Sequence, residues 1–267
     1  MIFLAAVILL ALLPVTKTWA VGMALMLGAA VSNLYPSAAP AELGKYRKLA
    51  LNTAVVLFGF GLDIGQVISV GGQGLWQTAV SLAAVILPGY WLLRFFNPCG
   101  DAMKLITFGT SICGGSAIAA VSSVMKSRDE DIGVAMGVVF LLNTAALFSF
   151  PLLAPLTGLT PEQYGIWCAL SIHDTSSVVG AAAVLGDSSL STATIMKLTR
   201  TLWITPIVFF LSLGRGGKGK LSVPLFIVFF IAASMAASFF PFPFLFRKLA
   251  AAGKVFMAIA LYMVGFG

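Results

Sequence analysis

The chain has 267 residues, of which 60% are apolar and only 9% charged, against roughly a quarter charged in an ordinary soluble domain. So few charges cannot cover the surface of a 28.0 kDa particle, and disorder needs the opposite composition. The net charge of +7 reads as a cytoplasmic-loop bias, not as a nucleic-acid surface. With a mean hydropathy of +1.02, and apolar stretches that are continuous rather than alternating, what remains is an all-α polytopic membrane protein and not a β-barrel. At roughly 20 residues per span the length holds about ten segments and leaves no soluble domain.

Charges, prolines and glycines divide the chain. Residues 1–13 carry no basic n-region, which favours a first span over a signal peptide. Residues 19–35 are closed by Pro36 and Pro40, and residues 46–62 end in Gly59-Phe60-Gly61. Segment 74–96 follows. Segment 101–126 is expected to be interrupted at Gly109 and again at Gly114-Gly115. Segment 131–155 is continuous. Segment 161–186 is interrupted by the polar run Ser171–Ser177. Segments 190–213 and 222–240 come next, and a last segment starts near Lys254. Cys99, Cys113 and Cys168 form no CxxC pair and no His/Cys cluster, so neither a disulfide framework nor a metal site is expected.

Two internal similarities stand out. Thr110-Ser-Ile-Cys-Gly-Gly-Ser-Ala117 aligns with Leu170-Ser-Ile-His-Asp-Thr-Ser-Ser177, an offset of 60 residues, and Lys48–Gly61 aligns with Lys254–Gly267. Alignments centred on helix interruptions suggest a duplicated, inverted-repeat transporter core. After Gly61 the first copy continues into another span. Lys254–Gly267 is also too short to cross a bilayer at 1.5 Å per residue. A further C-terminal span is therefore expected beyond this sequence.

The positive-inside rule arbitrates between hairpins and full spans for the two interrupted segments. With hairpins, the inside loops hold Lys45, Arg47, Lys48, Arg94, Lys104, Lys126, Arg128, Arg215, Lys218 and Lys220, against Lys17, Arg247 and Lys248 outside. With full spans, Lys126 and Arg128 move outside and the bias shrinks. Hairpins or strongly broken helices are favoured, and about 26 residues suffices for two arms of roughly 16 Å.

Unwound backbone is tolerated in a bilayer only where it is buried in protein or lines a cavity, so the paired breaks are the candidate substrate site. Thr110, Ser111, Cys113, Gly114, Gly115 and Ser116 in the first break, with Ser171, Thr175 and Ser176 in the second, would bind substrate; half-helix N-termini there suit an anion. The alternative is close helix packing by small residues. His173, the single histidine, and Asp174 are ionisable groups at membrane depth and are candidates for ion or proton coupling; a buried polar pair that fixes helix geometry is the alternative. Arg200 is expected to pair with Asp174 or hold an anion through its fork of donors. Lys197 could snorkel to the interface. Asn143 lines the same cavity or makes an interhelical hydrogen bond. Asp187 reads as a surface helix cap, and Asp63 as a loop residue.

Phe108–Ala120, Ser171–Ala181 and Met196-Lys-Leu-Thr-Arg200 together resemble the YeiH family of bacterial inner-membrane proteins, which carry the label of sulfate exporters. The resemblance covers essentially the whole chain. It implies an inverted-repeat carrier distantly similar to sodium–bile-acid symporters and sodium–proton antiporters, with a core of broken helices and a separate panel or scaffold. Members normally continue past the residue matching Gly267. The expected layout is one transmembrane domain over residues 1–267, with core segments 101–155 and 161–213 and scaffold segments 1–96 and 222–267.

The reading is a multi-pass secondary transporter of the inner membrane that moves a small solute, an anion such as sulfate, by alternating access. The alternative is a sodium- or proton-coupled carrier centred on Asp174. H+ or Na+ would be the coupling ion, no other cofactor or metal is expected, and a homodimer is compatible. A channel fits less well. An enzyme is not expected: adjacent Ser171, His173 and Asp174 face different ways on one turn, and neither G-x-S-x-G nor HExxH occurs.

Overall fold

The computed structural model describes residues 27, 28, 31, 43–96, 100–215 and 225–266. The expected segment 1–13, all of segment 19–35 but residues 27, 28 and 31, and Cys99, Lys17, Lys218, Lys220 and Gly267 lie outside the described residues. Those described form an all-helical protein. In chain order the helices are α1 (Leu43–Gly59), α2 (Ile64–Phe96), α3 (Ala102–Ser111), α4 (Gly115–Met125), α5 (Asp129–Thr157), α6 (Pro161–Ser171), α7 (Thr175–Ala182), α8 (Asp187–Leu202), α9 (Ile204–Gly214), α10 (Leu225–Phe239) and α11 (Pro243–Phe266). Among the described residues, three stretches are long and apolar enough to cross a membrane: Ile64–Phe96, Asp129–Thr157 and Asp187–Gly214.

Two boundaries differ from the sequence reading. The segment expected to begin near residue 74 begins at Ile64, because Asp63 accepts from the backbone N–H of Gly65 (2.8 Å) and Gln66 (3.3 Å) and so caps α2. The segment expected to begin near Lys254 begins at Pro243. Its 24 residues extend about 36 Å at 1.5 Å per residue, so the argument that this stretch is too short to cross falls. Pro243 opens the helix, where a missing N–H costs nothing, and Arg247 and Lys248 sit within it rather than in a loop.

α3 and α4 double back on each other. The Ser127 hydroxyl, after α4, donates to the Asp101 carboxylate, before α3, at 3.0 Å. A second clasp ties the start of α6 to the first turn of α8, which follows α7: the Ser188 hydroxyl donates to Glu162. The first base also holds Arg215, which donates to the Met125 carbonyl at 2.9 Å. α8 and α9 run from the second base at Asp187 to the first at Gly214, 28 residues or about 42 Å. α5 covers the same interval in the other direction. The two bases therefore stand at opposite ends of the bundle.

Local sequence explains the hairpin entries. α6 starts at a capping box: Thr160 accepts from Gln163 N–H, Gln163 returns the bond to Thr160 N–H, and Pro161 occupies the first position. α4 ends at Lys126 in the left-handed region (φ 52°), which reverses the chain into Ser127. Gly109 is not an interruption. It lies inside α3, where a Cβ would come within 2.8 Å of Ile118, so its small size lets α3 and α4 close against each other.

α6 packs on α8, and α2 rests on both α3 and α8, whereas α1, α10 and α11 pack together. α2 lies along α3 and α8 and also meets α10. The α1–α11 contact is close because Gly253 faces the backbone of Leu57 and Phe58, and a Cβ there would meet Phe58 N at 2.8 Å. The same device joins α6 to α8, where a Cβ on Gly165 would stand 2.5 Å from the Ser189 carbonyl. Backbone cannot yield as a side-chain tip can. Gly165→Val is expected to lower the melting temperature of the purified protein in detergent, at a cost of about 1–3 kcal/mol, whereas Gly137→Ala, with open space around it, is expected to leave it unchanged.

The first clasp carries a pH dependence. Lys104, 2.9 Å from Asp101, and then Ser127 hold the Asp101 carboxyl below its ordinary range. A lowered carboxylate contributes stability that is present above the unfolded value and is lost as pH falls through the folded one. The stability gap between wild type and Asp101→Asn is therefore expected at pH 7 and should close under acid; a melting series from pH 7 to pH 3 measures it.

Candidate functional site

The tips of the two hairpins meet. α3 ends at Ser111 and α4 begins at Gly115; α6 ends at Ser171 and α7 begins at Thr175. Between them lie residues 112–114 and 172–174. Gly114 has φ +69°, and a Cβ there would lie 3.4 Å from the Cβ of His173 and 3.1 Å from Val139. A side chain would be strained by conformation and by space, so glycine is what lets the breaks touch.

Each broken helix leaves carbonyls at its C-terminal half and N–H groups at its N-terminal half without helical partners. Two cations on α8 meet the carbonyls. Lys197 Nζ donates to the carbonyls of Ile112 (3.3 Å) and Ile172 (2.8 Å). Arg200 donates from Nε to Ser111 (2.9 Å), from Nη2 to Thr110 (2.8 Å), and from Nη1 to Ala169 (3.2 Å) and Leu170. At the offset of 60, Ile112 matches Ile172 and Thr110 matches Leu170. Lys197 and Arg200 each tie together matched carbonyls of the two breaks. Their i, i+3 spacing puts them on one face of α8, and both are fully buried, Lys197 at 0% and Arg200 at 1% exposure. The partial negative charge of two helix C-termini lies against them.

These contacts correct two expectations. Lys197 does not snorkel to an interface; it is engaged in the interior. Arg200 makes no ion pair with Asp174, and its fork is directed to backbone carbonyls rather than outward. Asp174 instead caps α7: one carboxylate oxygen accepts from Ser176 N–H (3.0 Å), Ser177 N–H (3.3 Å) and the Ser176 hydroxyl. The matched position in the first break is Gly114, and no side chain caps α4.

Asn143 of α5 joins the site. Its Oδ1 accepts from the backbone N–H of His173 (3.0 Å) and Asp174 (3.1 Å). Its Nδ2 is buried without a hydrogen-bond partner, as is Nδ1 of His173. One turn earlier on α5, Val139 touches Gly114, and Met136 and Phe140 face Gly115. The interhelical hydrogen bond expected of Asn143 is made, and one arm of the amide is left over.

The remaining expected residues divide. Ser116 and Ser171 are exposed, Gly115 and Thr175 are half-buried, and Cys113 is buried with a free thiol. The hydroxyls of Thr110 and Ser111 are engaged within α3, Thr110 with Ile106 (2.7 Å) and Ser111 with Phe108 (2.9 Å); their carbonyls, not their hydroxyls, enter the network. Asp187 is the first residue of α8, after Gly186, and pairs with Lys254 of α11 at 2.8 Å. Sequence reasoning missed the task of Lys197, for which the i, i+3 pairing with Arg200 was the available signal.

Two cavities lie away from the breaks. One of about 910 Å³ is lined by Phe58, Gln66, Asp187, Ser191, Arg247 and Lys254, among others; one of about 220 Å³ lies between α2, α8 and α10. Among the described residues, no cluster of His, Cys, Asp or Glu could hold a metal ion.

Removing Arg200 strands four carbonyls in a dry interior. Arg200→Lys retains the charge and loses the fork, so it is expected to destabilise the protein by roughly 2 kcal/mol or more, read as a lowered melting temperature. Thr201→Ala, a neighbour whose hydroxyl bonds only within its own helix, is expected to cost less.

A family model described as "Conserved hypothetical protein 698" matches residues 1–267. A UPF0324 membrane protein of Geobacter sulfurreducens is 39% identical over 91% of this chain and 79% of its own. One from Vibrio vulnificus is 37% identical over 91% and 80%, and one from Bacteroides thetaiotaomicron is 41% identical over 81% and 66%. No solved structure matches. The chain therefore belongs to the conserved hypothetical protein 698 (UPF0324, YeiH) family of membrane proteins.

Proposed function

We propose that the protein is a secondary transporter of a small anion, working by alternating access at the junction of the two breaks. The observation that carries this reading is the mismatch at matched positions: Asp174 places a carboxylate on the N-terminus of α7, while Gly114 leaves the N-terminus of α4 uncapped. An unoccupied helix N-terminus beside two buried cations suits a negative charge, and Asn143 Nδ2 adds an unused donor.

On this reading the hairpins are re-entrant and form an inverted repeat, because their bases stand at opposite ends and their tips meet near the middle. Lys197 is ten residues from Asp187, about 15 Å, and Arg200 is fourteen from Gly214, about 21 Å, which puts them close to the midplane of a 42 Å path. The first base carries Lys104, Lys126, Arg128 and Arg215 and is assigned to the cytoplasm by the positive-inside rule; the membrane is then the inner membrane of a bacterium. His173, half-buried with Nδ1 unpartnered, would carry the coupling proton. The cation-carrier reading centred on Asp174 has less support, since that carboxylate is engaged by backbone donors.

A ligand that binds only the folded protein raises its stability by mass action, about 2.7 kcal/mol at a hundredfold excess over Kd. Small anions are expected to raise the melting temperature of the purified protein, and Na+ or K+ at equal ionic strength are not. His173→Ala and Asn143→Leu in proteoliposomes are expected to abolish anion flux while the circular dichroism spectrum stays unchanged. Wild-type flux in both variants would overturn the assignment of the breaks as the site.

A further inference from the structure

The cavity of about 910 Å³ lies between the start of α8, the turn that joins α1 to α2, and the first half of α11. Asp187 and Ser188 line it, and they begin the 28-residue path of α8 and α9, about 42 Å long. That length is close to the thickness of a bilayer with its headgroup regions. The cavity therefore lies at headgroup depth, and in the outer leaflet once the first base is assigned to the cytoplasm. Its charged residues are Asp187, Arg247 and Lys254. Both Asp187 oxygens accept from Lys254 Nζ, at 2.9 and 2.8 Å, whereas Arg247 takes part in none of the ion pairs among the described residues. A guanidinium does not lose its proton in a protein, so one positive charge on the cavity wall stands without a counter-charge. We propose that this cavity is a binding site for one anionic phospholipid, with the lipid phosphate on Arg247 and the upper part of the chains against the apolar wall. The proposal goes beyond anion transport and does not depend on it.

Charge, space and surroundings select this ligand. Arg247 calls for one negative charge, and its fork of donors suits a phosphate. Lys254 already occupies Asp187, so no free carboxylate remains for the amine of a zwitterionic headgroup. Gln66 of α2 adds a side-chain amide. The space of about 910 Å³ is at the upper end of the roughly 300–1,000 Å³ of small-molecule sites, far more than an inorganic anion fills. Its walls include Phe58, Leu62 and Val255, and the rings of Phe60 and Phe246, which stack at 5.5 Å. A ligand that fills it carries an apolar body as well as a charge. Pro243 and Arg247 are exposed, so the cavity opens at the surface. Leading into that wall from the end of α10, Phe239, Phe240, Phe242 and Phe244 are each more than half exposed. Phenylalanines exposed in this number mark a membrane-contacting surface, so the molecule at the mouth of the cavity is a lipid and not a solute from water.

The test is native mass spectrometry of the full chain, stripped of lipid in neutral detergent and titrated with phosphatidylglycerol or with phosphatidylcholine of the same acyl chains. Wild type is expected to take up one phosphatidylglycerol at least about fivefold more tightly than phosphatidylcholine, the effect of one basic side chain on an anionic lipid. Arg247→Gln is expected to lower phosphatidylglycerol binding about fivefold, to the phosphatidylcholine level. Arg247→Glu reverses the charge at the same exposed position, is expected to lower it further, and covers the case in which one variant fails to fold. Lys248→Gln is the control, because Lys248 lies over the Phe244 ring, 4.3 Å from its centroid, and is not part of the cavity wall; binding is expected to stay within about twofold of wild type, less than the effect of a basic side chain that meets the lipid. No preference for phosphatidylglycerol in wild type, or a preference unmoved in both Arg247 variants, would overturn the site. An equal loss in Lys248→Gln would also overturn it, by showing a diffuse effect of surface charge. Glycerophosphoglycerol, the same headgroup without chains, is expected to bind far more weakly than the lipid; equal binding would overturn the lipid assignment in favour of a soluble phosphodiester. Anion flux through the breaks is read separately, so each proposal can fail without the other.

Discussion

Everything else in this molecule depends on the problem of ending a helix inside a dry interior. A helix that stops in water gives its last carbonyls to solvent. One that stops among buried side chains must find donors for them or lose a few kcal/mol per group. Here two helices, α3 and α6, stop at the same place, and a single turn of α8 answers both. Lysine and arginine suit the task differently. The ammonium of Lys197 bridges one carbonyl from each break, while the guanidinium of Arg200 spans four, using the planar spread of donors that lysine lacks. Because both residues hold both hairpins, α3, α4, α6, α7 and α8 are tied into one body at its centre as well as by packing.

That arrangement decides the electrostatics of the junction. The cations are matched to carbonyl dipoles and not to carboxylates, so their formal charge is only partly offset where they stand. Asp174 supplies one unit nearby, and it does so as a helix cap. The pairing expected between Arg200 and Asp174 would have neutralised the region and closed it. Its absence leaves α4 with an open N-terminal end facing Val139, Met136, Phe140 and His173. On the proposed reading this asymmetry between two otherwise matched breaks is the substrate site, and the symmetric part of the network is its frame.

Much of this was legible in the sequence. The paired S-I-x-x-x-S motifs marked the two places where helices end, at Ser111 and Ser171. What the sequence could not express was direction. Thr110 and Ser111 read as hydroxyl donors, but on a helix a Ser or Thr hydroxyl readily turns back to the carbonyl three or four residues earlier, and both do. Arg200 read as a ligand because an intramembrane arginine usually faces substrate or a carboxylate; six orphan carbonyls become visible as competitors only once the two helix ends are placed side by side. Gly109 read as a break for lack of a Cβ, when that lack serves contact between α3 and α4. The start of α11 was misplaced by eleven residues because Arg247 and Lys248 looked like a loop, although long cationic side chains are tolerated on a helix near its end.

The packing around α8 is uneven, and the unevenness has a direction. On the side of α6 the contact is backbone-close through Gly165, and on the far side α1 and α11 are joined to each other just as closely through Gly253. Between these two tight pairs lies one cavity, and a second lies beside α8 against α2 and α10. The larger, about 910 Å³, has residues of α8 on one wall and of α1 and α11 on the other. The smaller, about 220 Å³, separates α8 from α2 and α10. Close-packed interfaces resist displacement because every contact must be remade, whereas a seam lined by voids has fewer contacts to lose. The ion pair Asp187–Lys254 crosses this seam at one end, and as a solvent-accessible pair it adds little rigidity. Beside the voids the two sides still share one buried apolar cluster, with Leu190 and Ile195 of α8, Phe58 of α1, Phe230 of α10 and Leu261 of α11. On the proposed reading, movement of the hairpins and α8 against α1 and α11 would have to remake those contacts, and the larger void marks where fewest are lost.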